Sequence, residues 1–304
     1  MPDTVCISVV IGTFNLKEKL LKVLASLVNQ TMDPCNFEVI VVDSGSADGT
    51  IDSLETLTTP YSLRWFLVEN RGKSSARNRG IREASADIIL LTDADMIADR
   101  FWVQSHYEAQ RERNFNVLVE GKTFVLTQEA LPVENYIRRP YIPKKLKEGQ
   151  QLSFFNCLSG NLSIPRRFFE EAGYFDERYI GYGWEDIDLG YRMITLAHKK
   201  LIYTDKAINY HYHAWSQAQE CFRREKMGQA VHLLLDKFPE LRFPMGINPF
   251  NHIVWRILSR NPARVRRWLD LLPAQKLSLF KKLLLREYYY YQGYQDAQPN
   301  RQIP

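Results

Sequence analysis

No run of about eighteen uninterrupted apolar residues occurs in the chain, so no membrane-spanning helix is expected. Cysteine is scarce: the four residues Cys6, Cys35, Cys157 and Cys221 are scattered without metal-ligand spacing. That excludes a disulfide scaffold and a cysteine-based zinc module, and a reduced cytosolic compartment is the simplest account. The start of the sequence has no basic segment and no cleavage pattern, so no targeting signal is expected. Two nucleotide fingerprints are also missing. Neither G-x-G-x-x-G nor G-x-x-x-x-G-K-[ST] is present, which removes the dinucleotide and P-loop readings. Negative charge is short in one region only. Residues 216–304 hold 15 Lys/Arg against 7 Asp/Glu, a net of +8, whereas residues 1–215 carry a net of −3. A near-neutral body joined to a basic tail suggests two parts, 1–215 and 216–304, the body dividing into halves at 1–99 and 100–215.

Strand and helix signals alternate through the first hundred residues. Apolar runs at Val5–Gly12, Phe37–Val42, Leu63–Val68 and Asp87–Thr92 read as buried strands. Between them lie a helix with Leu20, Leu24, Leu27 and Val28 on one face, capped by Asn15, and a helix through Leu57 capped by Asp48. The segment Asn70–Gly80 is a loop running into a helix. This alternation predicts an α/β fold with a mostly parallel sheet flanked by helices. A helix to Arg113, a strand over Val117–Val125 and a helix over Arg166–Ala172 stopped by Gly173 follow. Proline and glycine punctuate 131–152, and the basic stretch Arg138–Lys147 reads as a loop.

Polar residues gather where the strands end, which is where open α/β sheets bind ligands. Thr13 and Asn15 follow the first strand, Asp43 and Ser44 the second, Arg71 and Lys73 the third, Asp93 and Asp95 the fourth. Asp43 suits base or ribose hydrogen bonds, or initiates a turn. Arg71, Lys73 and Arg77 offer positive charge to a phosphate; Arg77 and Arg79 read equally as a solvated helix face. Asp93 and Asp95 can approach one hard cation beside a diphosphate, or simply end a strand. Further on, Trp184 is a flat apolar surface of the kind sugars stack on. Glu185 or Asp186 beside it could take a proton from a hydroxyl, while Asp188 orients the helix. Acids at a helix start are favoured by the dipole in any case. His211 and His213 alternate along a strand, and either could complete a metal site with the aspartates.

Four segments, Val9-Val-Ile-Gly-Thr-Phe-Asn15, Val41-Val-Asp-Ser-Gly-Ser-Ala-Asp-Gly-Thr50, Ala76-Arg-Asn-Arg-Gly80 and Thr92-Asp-Ala-Asp95, resemble the ordered motifs of family-two glycosyltransferases. Gly183-Trp-Glu-Asp-Ile-Asp188 resembles a motif shared by chondroitin-polymerase-type and β-1,4-galactosyltransferase-type enzymes. The resemblance spans roughly 5–215. It implies a GT-A fold, a nucleotide-sugar donor, a glycan or glycoconjugate acceptor, Mn²⁺ or Mg²⁺, and inversion at the sugar. By that resemblance Thr13, Asn15, Asp43 and Arg71 contact the nucleoside, with Ser44, Lys73 and Arg77 on the same donor side. Asp93 reaches ribose or metal, and Asp95 binds metal with His211 or His213. Asp186 is the base, Glu185 binds donor or acceptor, and Trp184, Tyr182 and Asn161 face the acceptor. No Q-x-x-R-W motif is present, which argues against a processive synthase. The galactosyltransferase-like motif points to UDP-galactose, UDP-N-acetylgalactosamine or a related UDP-hexose. The competing readings are a retaining transferase, a nucleotidyltransferase, and a non-enzymatic binding protein.

The tail carries helix signals over Arg223–Phe238, Ile253–Leu258, Val265–Leu272 and Leu277–Tyr291, with an apolar stripe at 277, 280, 284 and 288. Such basic helices either dock on the body or lie peripherally on the inner face of a membrane. Nucleic acid is not expected as a partner.

Overall fold

The computed structural model describes residues 5–126, 138–140, 145–212, 216–270 and 279–297. The chain divides into two compact units, Met1–Glu177 with Glu185–Ala214, and Arg178–Trp184 with Trp215–Pro304.

The first unit is built on one sheet. Strands β1 (Ile7–Thr13), β2 (Phe37–Asp43), β3 (Ser62–Leu67) and β4 (Ile88–Asp93) are parallel, in the order β3-β2-β1-β4. Helices α1 (Lys17–Val28), α2 (Thr50–Thr56) and α3 (Lys73–Glu83) make the connections. Side chains alternate across this sheet as strand geometry demands. Ile7, Val9, Ile11, Ile88 and Leu90 pack on one face with Leu20, Leu24 and Leu27, whereas Val10, Ile40, Ile89 and Leu91 pack on the other with Ala76 and Ile81.

Beyond β4 the sheet is mixed. It continues with β5 (Met96–Ala98), α4 (Trp102–Arg111), β6 (Leu118–Leu126), β7 (Arg138–Pro140), β8 (Gln151–Leu152), β9 (Leu162–Pro165) and α5 (Arg166–Ala172). Then come the one-and-a-half-turn helix α6 (Glu185–Gly190), which passes into a wider π-type turn at Tyr191–Leu196, and β10 (Leu201–His211). The short strand β9 enters antiparallel between β4 and β6, and β5 pairs antiparallel with β10. The expected α/β class therefore holds, with the parallel register confined to β3-β2-β1-β4 and to the β6–β10 pair.

Several local expectations are corrected. Asn15 does not cap α1. It adopts φ 52°, accepts from Ala47 N–H at 2.8 Å, and its own N–H donates to Ser46 Oγ at 2.7 Å, tying the loop after β1 to the loop after β2. Val28 is exposed, and Val23 takes its place in the core. Within the basic stretch, Arg138–Pro140 is strand; residues 141–144 lie outside the described residues.

The second unit contains α7 (Gln217–Lys237), α8 (Pro249–Ser259), α9 (Pro262–Asp270) and α10 (Leu279–Asp296). Ser216 and Gln219 form a reciprocal cap on α7, at 3.2 and 2.8 Å. Gly228 of α7 and Gly293 of α10 lie where the two backbones touch: a Cβ on either would strike the facing carbonyl, of Tyr290 and Glu225 respectively. In the stripe expected on α10, Tyr288 is buried but Phe280 is 67% exposed, and Leu285 is the residue fully enclosed; Leu277 lies outside the described residues.

Helix α3 is held close to the sheet by Gly80, where a Cβ would meet Val10 Cγ1 in hard contact and Val42 Cγ2 at 3.3 Å. Gly80→Ala should therefore lift α3 from β1 and β2 and destabilise the chain by about 1–3 kcal/mol. Chemical denaturation checks it, and an unchanged midpoint would contradict the packing.

Candidate active site

The site is assembled around Arg77. This residue lies on the buried face of α3, its side chain 4% exposed, whereas Arg79 two positions on points to solvent and pairs with Glu83 at 2.9 Å. One guanidinium nitrogen of Arg77 donates to Asp93 Oδ1 at 2.8 Å. The other reaches Glu185 Oε1 at 3.3 Å and Asp186 Oδ1 at 3.2 Å. One cation thus joins the end of β4 to the start of α6, segments about ninety residues apart in sequence. Both its terminal nitrogens face acids, so in this structure Arg77 acts as a carboxylate clamp rather than as the open phosphate-facing cation expected.

Charge follows from this arrangement. Burial opposes ionisation of Asp93, but Lys73, Arg77 and His211 outweigh it and hold the carboxyl well below the usual range. Lys73 stands 3.8 Å from Asp93 Oδ2. Burial, together with the Asp186 charge, pushes the Glu185 carboxyl up against the pull of Arg77 and Lys73. Asp186 accepts on both oxygens, from Arg77 and from the Ser159 backbone N–H at 3.2 Å, and its side chain keeps 20% exposure. Asp188 is fully buried and pairs with Arg192 at 2.7 Å, a bond within the helix.

At the strand ends the register sets Thr13 beside Asp43. Asp43 is fully buried, and its Oδ1 accepts from Ser46 N–H at 2.7 Å. Asp43 Oδ2, Thr13 Oγ1 and Ser74 Oγ are buried without a hydrogen-bond partner, as are Ser159 Oγ and Glu185 Oε2 beside Asp186. Orphaned buried polar atoms are costly, and a polar ligand would satisfy them. Ser44 closes the β1–β2 end through a backbone bond to Thr13 O at 3.0 Å. Arg71 is exposed and pairs locally with Glu69 at 2.8 Å.

Asp95 and His211 approach within 3.5 Å, both about 15% exposed, through the β5–β10 pairing. A carboxylate oxygen and an imidazole nitrogen at this spacing fit two ligands of a divalent cation that also takes phosphate oxygens. Among the described residues no group of three or more His, Cys, Asp or Glu is arranged to hold a metal, and His213 lies outside them.

The three acceptor candidates fall in two places, Asn161 in the first unit and Trp184 and Tyr182 in the second. Asn161 is 1% exposed and fully used. Its Oδ1 accepts from Trp102 Nε1 at 2.7 Å and from His106 Nε2 at 2.9 Å, and its Nδ2 donates to Thr123 Oγ1 and Ala207 O. Burial drives His106 down to about 4 despite the Asn161 bond, so its ring is neutral, and Asn161 is a structural hub rather than a ligand contact. Trp184 and Tyr182 belong to the second unit. The Trp184 indole N–H donates to Met227 O at 2.7 Å and its ring meets Tyr290 edge-on; Tyr182 carries Arg223 over its face at 4.1 Å.

One residue escaped the sequence reading. Glu120, on β6, is 3% exposed and accepts from Leu158 N–H at 3.3 Å. Burial pushes its carboxyl well up; the Leu158 bond opposes this and the Asp186 charge adds to it. An acid directly after the apolar run Val117–Val119 was the available signal.

Residues 8–171 match the family model for glycosyl transferase family 2. The chain belongs to that family. A chondroitin synthase of Pasteurella multocida is 25% identical over 62% of this chain and 23% of its own length. A mannosyltransferase, PcManGT of Pyrobaculum calidifontis, solved with GDP-Man and Mn²⁺, superposes with a TM-score of 0.64 at 16% identity over 97% of this chain and 88% of its own. The S. aureus TarS fragment solved with UDP-GlcNAc gives 0.54 at 16% identity over 97% and 93%. The two structural likenesses carry the fold alone. The chain spans between 23% and 64% of the length of the curated relatives it matches.

The raised Glu120 carboxyl has a consequence for stability. The folded state keeps a proton that the unfolded state releases above about pH 4.3, so Glu120 costs stability increasingly as pH rises beyond that value. Glu120→Gln keeps an acceptor for Leu158 and removes the ionisation. Its stability relative to wild type should therefore increase with pH, by up to about 1.4 kcal/mol per pH unit. Urea denaturation across the acidic to neutral range measures it; parallel profiles would contradict the buried neutral carboxyl.

Proposed function

We propose that this family 2 chain transfers a hexose from a nucleotide-sugar donor to a hydroxyl of a glycan or glycoconjugate, with inversion. The observation that carries the reading is the Arg77 clamp, which links a strand-end aspartate to an acid pair at a helix start. Support for a nucleotide donor comes from the unpartnered atoms of Thr13, Asp43 and Ser74 at the ends of β1, β2 and the start of α3. Asn15, Ser44, Arg71 and Lys73 complete that rim in this reading. The solved neighbours carry UDP-GlcNAc in one case and GDP-Man with Mn²⁺ in the other, which is consistent with it. UDP-galactose, UDP-N-acetylgalactosamine or a related UDP-hexose is the donor we favour, from the likeness of residues 183–188 to galactosyltransferase-type motifs. The likeness to a chondroitin synthase supports a polysaccharide acceptor.

In the proposed chemistry the acceptor oxygen attacks C1 of the sugar as the bond from C1 to the phosphate oxygen breaks. The hydroxyl proton passes to Asp186 and the nucleoside diphosphate leaves with the bonding electron pair. Asp186, whose side chain keeps 20% exposure, suits the role better than Glu185, which is buried and pushed towards its protonated form. Arg77 and the Ser159 N–H fix the orientation of the Asp186 carboxylate. Asp95 and His211, with Asp93 beside them, would hold Mn²⁺ or Mg²⁺, and a nitrogen ligand favours Mn²⁺. A cation bound there would offset the charge that develops on the leaving diphosphate.

Asp186→Asn should lower kcat by about 10²–10⁴-fold with donor binding retained, and Asp95→Ala should weaken donor binding in Mn²⁺ while leaving binding in EDTA unchanged. Steady-state kinetics and donor calorimetry check both. NMR of the product tests inversion: a retained anomeric configuration, or release of pyrophosphate, would redirect the reading to a retaining transferase or a nucleotidyltransferase.

A further inference from the structure

Helix α8 carries two apolar faces, and only one is packed among the described residues. Asn251, Val254, Trp255 and Leu258 face the partner helix α10. Asn251 Nδ2 donates to Glu287 at 2.9 Å, Trp255 Nε1 donates to Gln292 at 3.0 Å, and His252 meets the Tyr291 hydroxyl at 2.8 Å. The other face bears Phe250, Ile253 and Ile257, which are 70%, 55% and 60% exposed. Their spacing of three and four residues sets them in one stripe. Contiguous apolar surface of this kind marks a contact site in a folded protein.

Charge decides what covers it. From Pro249 to Trp268 there is no Asp or Glu, and there are five arginines, Arg256, Arg260, Arg264, Arg266 and Arg267, all exposed. Arg256 and Arg260 stand three residues beyond Ile253 and Ile257, so they border the stripe. The partner must therefore offer dense negative charge with apolar depth directly beneath it. A second copy of this surface would set arginines against arginines, which is repulsive. A nucleic acid would meet the charge but leave the aliphatic side chains uncovered. An anionic lipid surface satisfies both demands, since amphipathic helices bury an apolar stripe at the headgroup boundary while cations pair with lipid phosphates.

We propose that α8 and α9 dock this chain on an anionic phospholipid bilayer, with Phe250, Ile253 and Ile257 entering the headgroup boundary and the arginines paired to phosphates. The contact is peripheral: no helix among the described residues is long and apolar enough to cross a membrane. The proposal does not depend on the donor or acceptor assignment. A glycosyltransferase held this way would work at a two-dimensional surface, where a lipid-linked or membrane-tethered acceptor is concentrated.

The test is flotation of the full chain with vesicles of phosphatidylcholine alone and of phosphatidylcholine with phosphatidylglycerol. Binding should require the anionic lipid and fall with added salt. The Phe250→Ser/Ile253→Ser/Ile257→Ser variant should lose partition by about tenfold or more, and Arg256→Glu/Arg260→Glu by about tenfold or more. All these side chains are exposed, so helicity by circular dichroism should be unchanged in both. Equal binding to both vesicle types, absence of binding, or wild-type partition of the triple variant would overturn the proposal. So would self-association in sedimentation that the triple variant abolishes in a chain that ignores vesicles; that result assigns the stripe to a second copy.

Discussion

A buried guanidinium must be neutralised where it sits, and Arg77 meets that demand with acids from two distant segments. Desolvating a charge of this kind costs several kcal/mol, so it persists only with close partners. Burial works against its charge, while Asp186, Asp93 and Glu185 raise its affinity for the proton, so it stays charged at any working pH. The consequence is mutual. Asp93 is kept ionised, Asp186 is oriented, and α6 is anchored to the end of β4. Glu185, with Asp186 alongside, is the member that leans towards its neutral form. Asp93 and Glu185 thus acquire opposite protonation tendencies around one cation, a separation suited to the proposed proton transfer.

The sheet supplies the rest of the geometry. Parallel strands β1, β2 and β4 end at the same edge, so Thr13, Asp43 and Asp93 emerge together. The unpartnered oxygens of Thr13 and Asp43 lie on that edge, as does that of Ser74 at the start of α3. The antiparallel insertion of β9 brings the 157–161 turn against β4, and the Gly160 carbonyl is fixed there by Thr92 Oγ1 at 3.1 Å and Asn209 Nδ2 at 2.8 Å. That fixation is what aims the Ser159 N–H at Asp186. Glu120 steadies the same turn from below through Leu158. The polar strand-end edge and the acid pair at the start of α6 are therefore joined by Arg77.

Much of this was legible in the residues. Continuous β-branched runs such as Val39–Val42 admit one reading, and α5 stops at Gly173, which adopts φ 78°. The strand-end positions of Thr13, Asp43 and Asp93 follow from the same runs. What stayed hidden depended on partners far away in sequence. Arg77 and Arg79 share one short motif, and only the packing of α3 on β1 tells the clamp from the solvated neighbour. Asn161 sits in a Ser-Gly-Asn turn that reads as surface, yet Trp102 and His106 enclose it. Strand β5 is three residues long and pairs antiparallel, so no periodicity announces it. Trp184 read as an open platform because nothing local revealed that Met227 takes its indole N–H.

A double-mutant cycle between Arg77 and Asp93 tests the central claim most directly. Denaturant unfolding would be measured for Arg77→Gln, Asp93→Asn and the pair. If one buried cation holds the acids together, Asp93→Asn destabilises the wild-type background and costs less, or stabilises, once Arg77 is gone, with a coupling of about 1–3 kcal/mol. Additivity within about 0.5 kcal/mol would contradict the clamp and leave the site as separate acids with no common anchor.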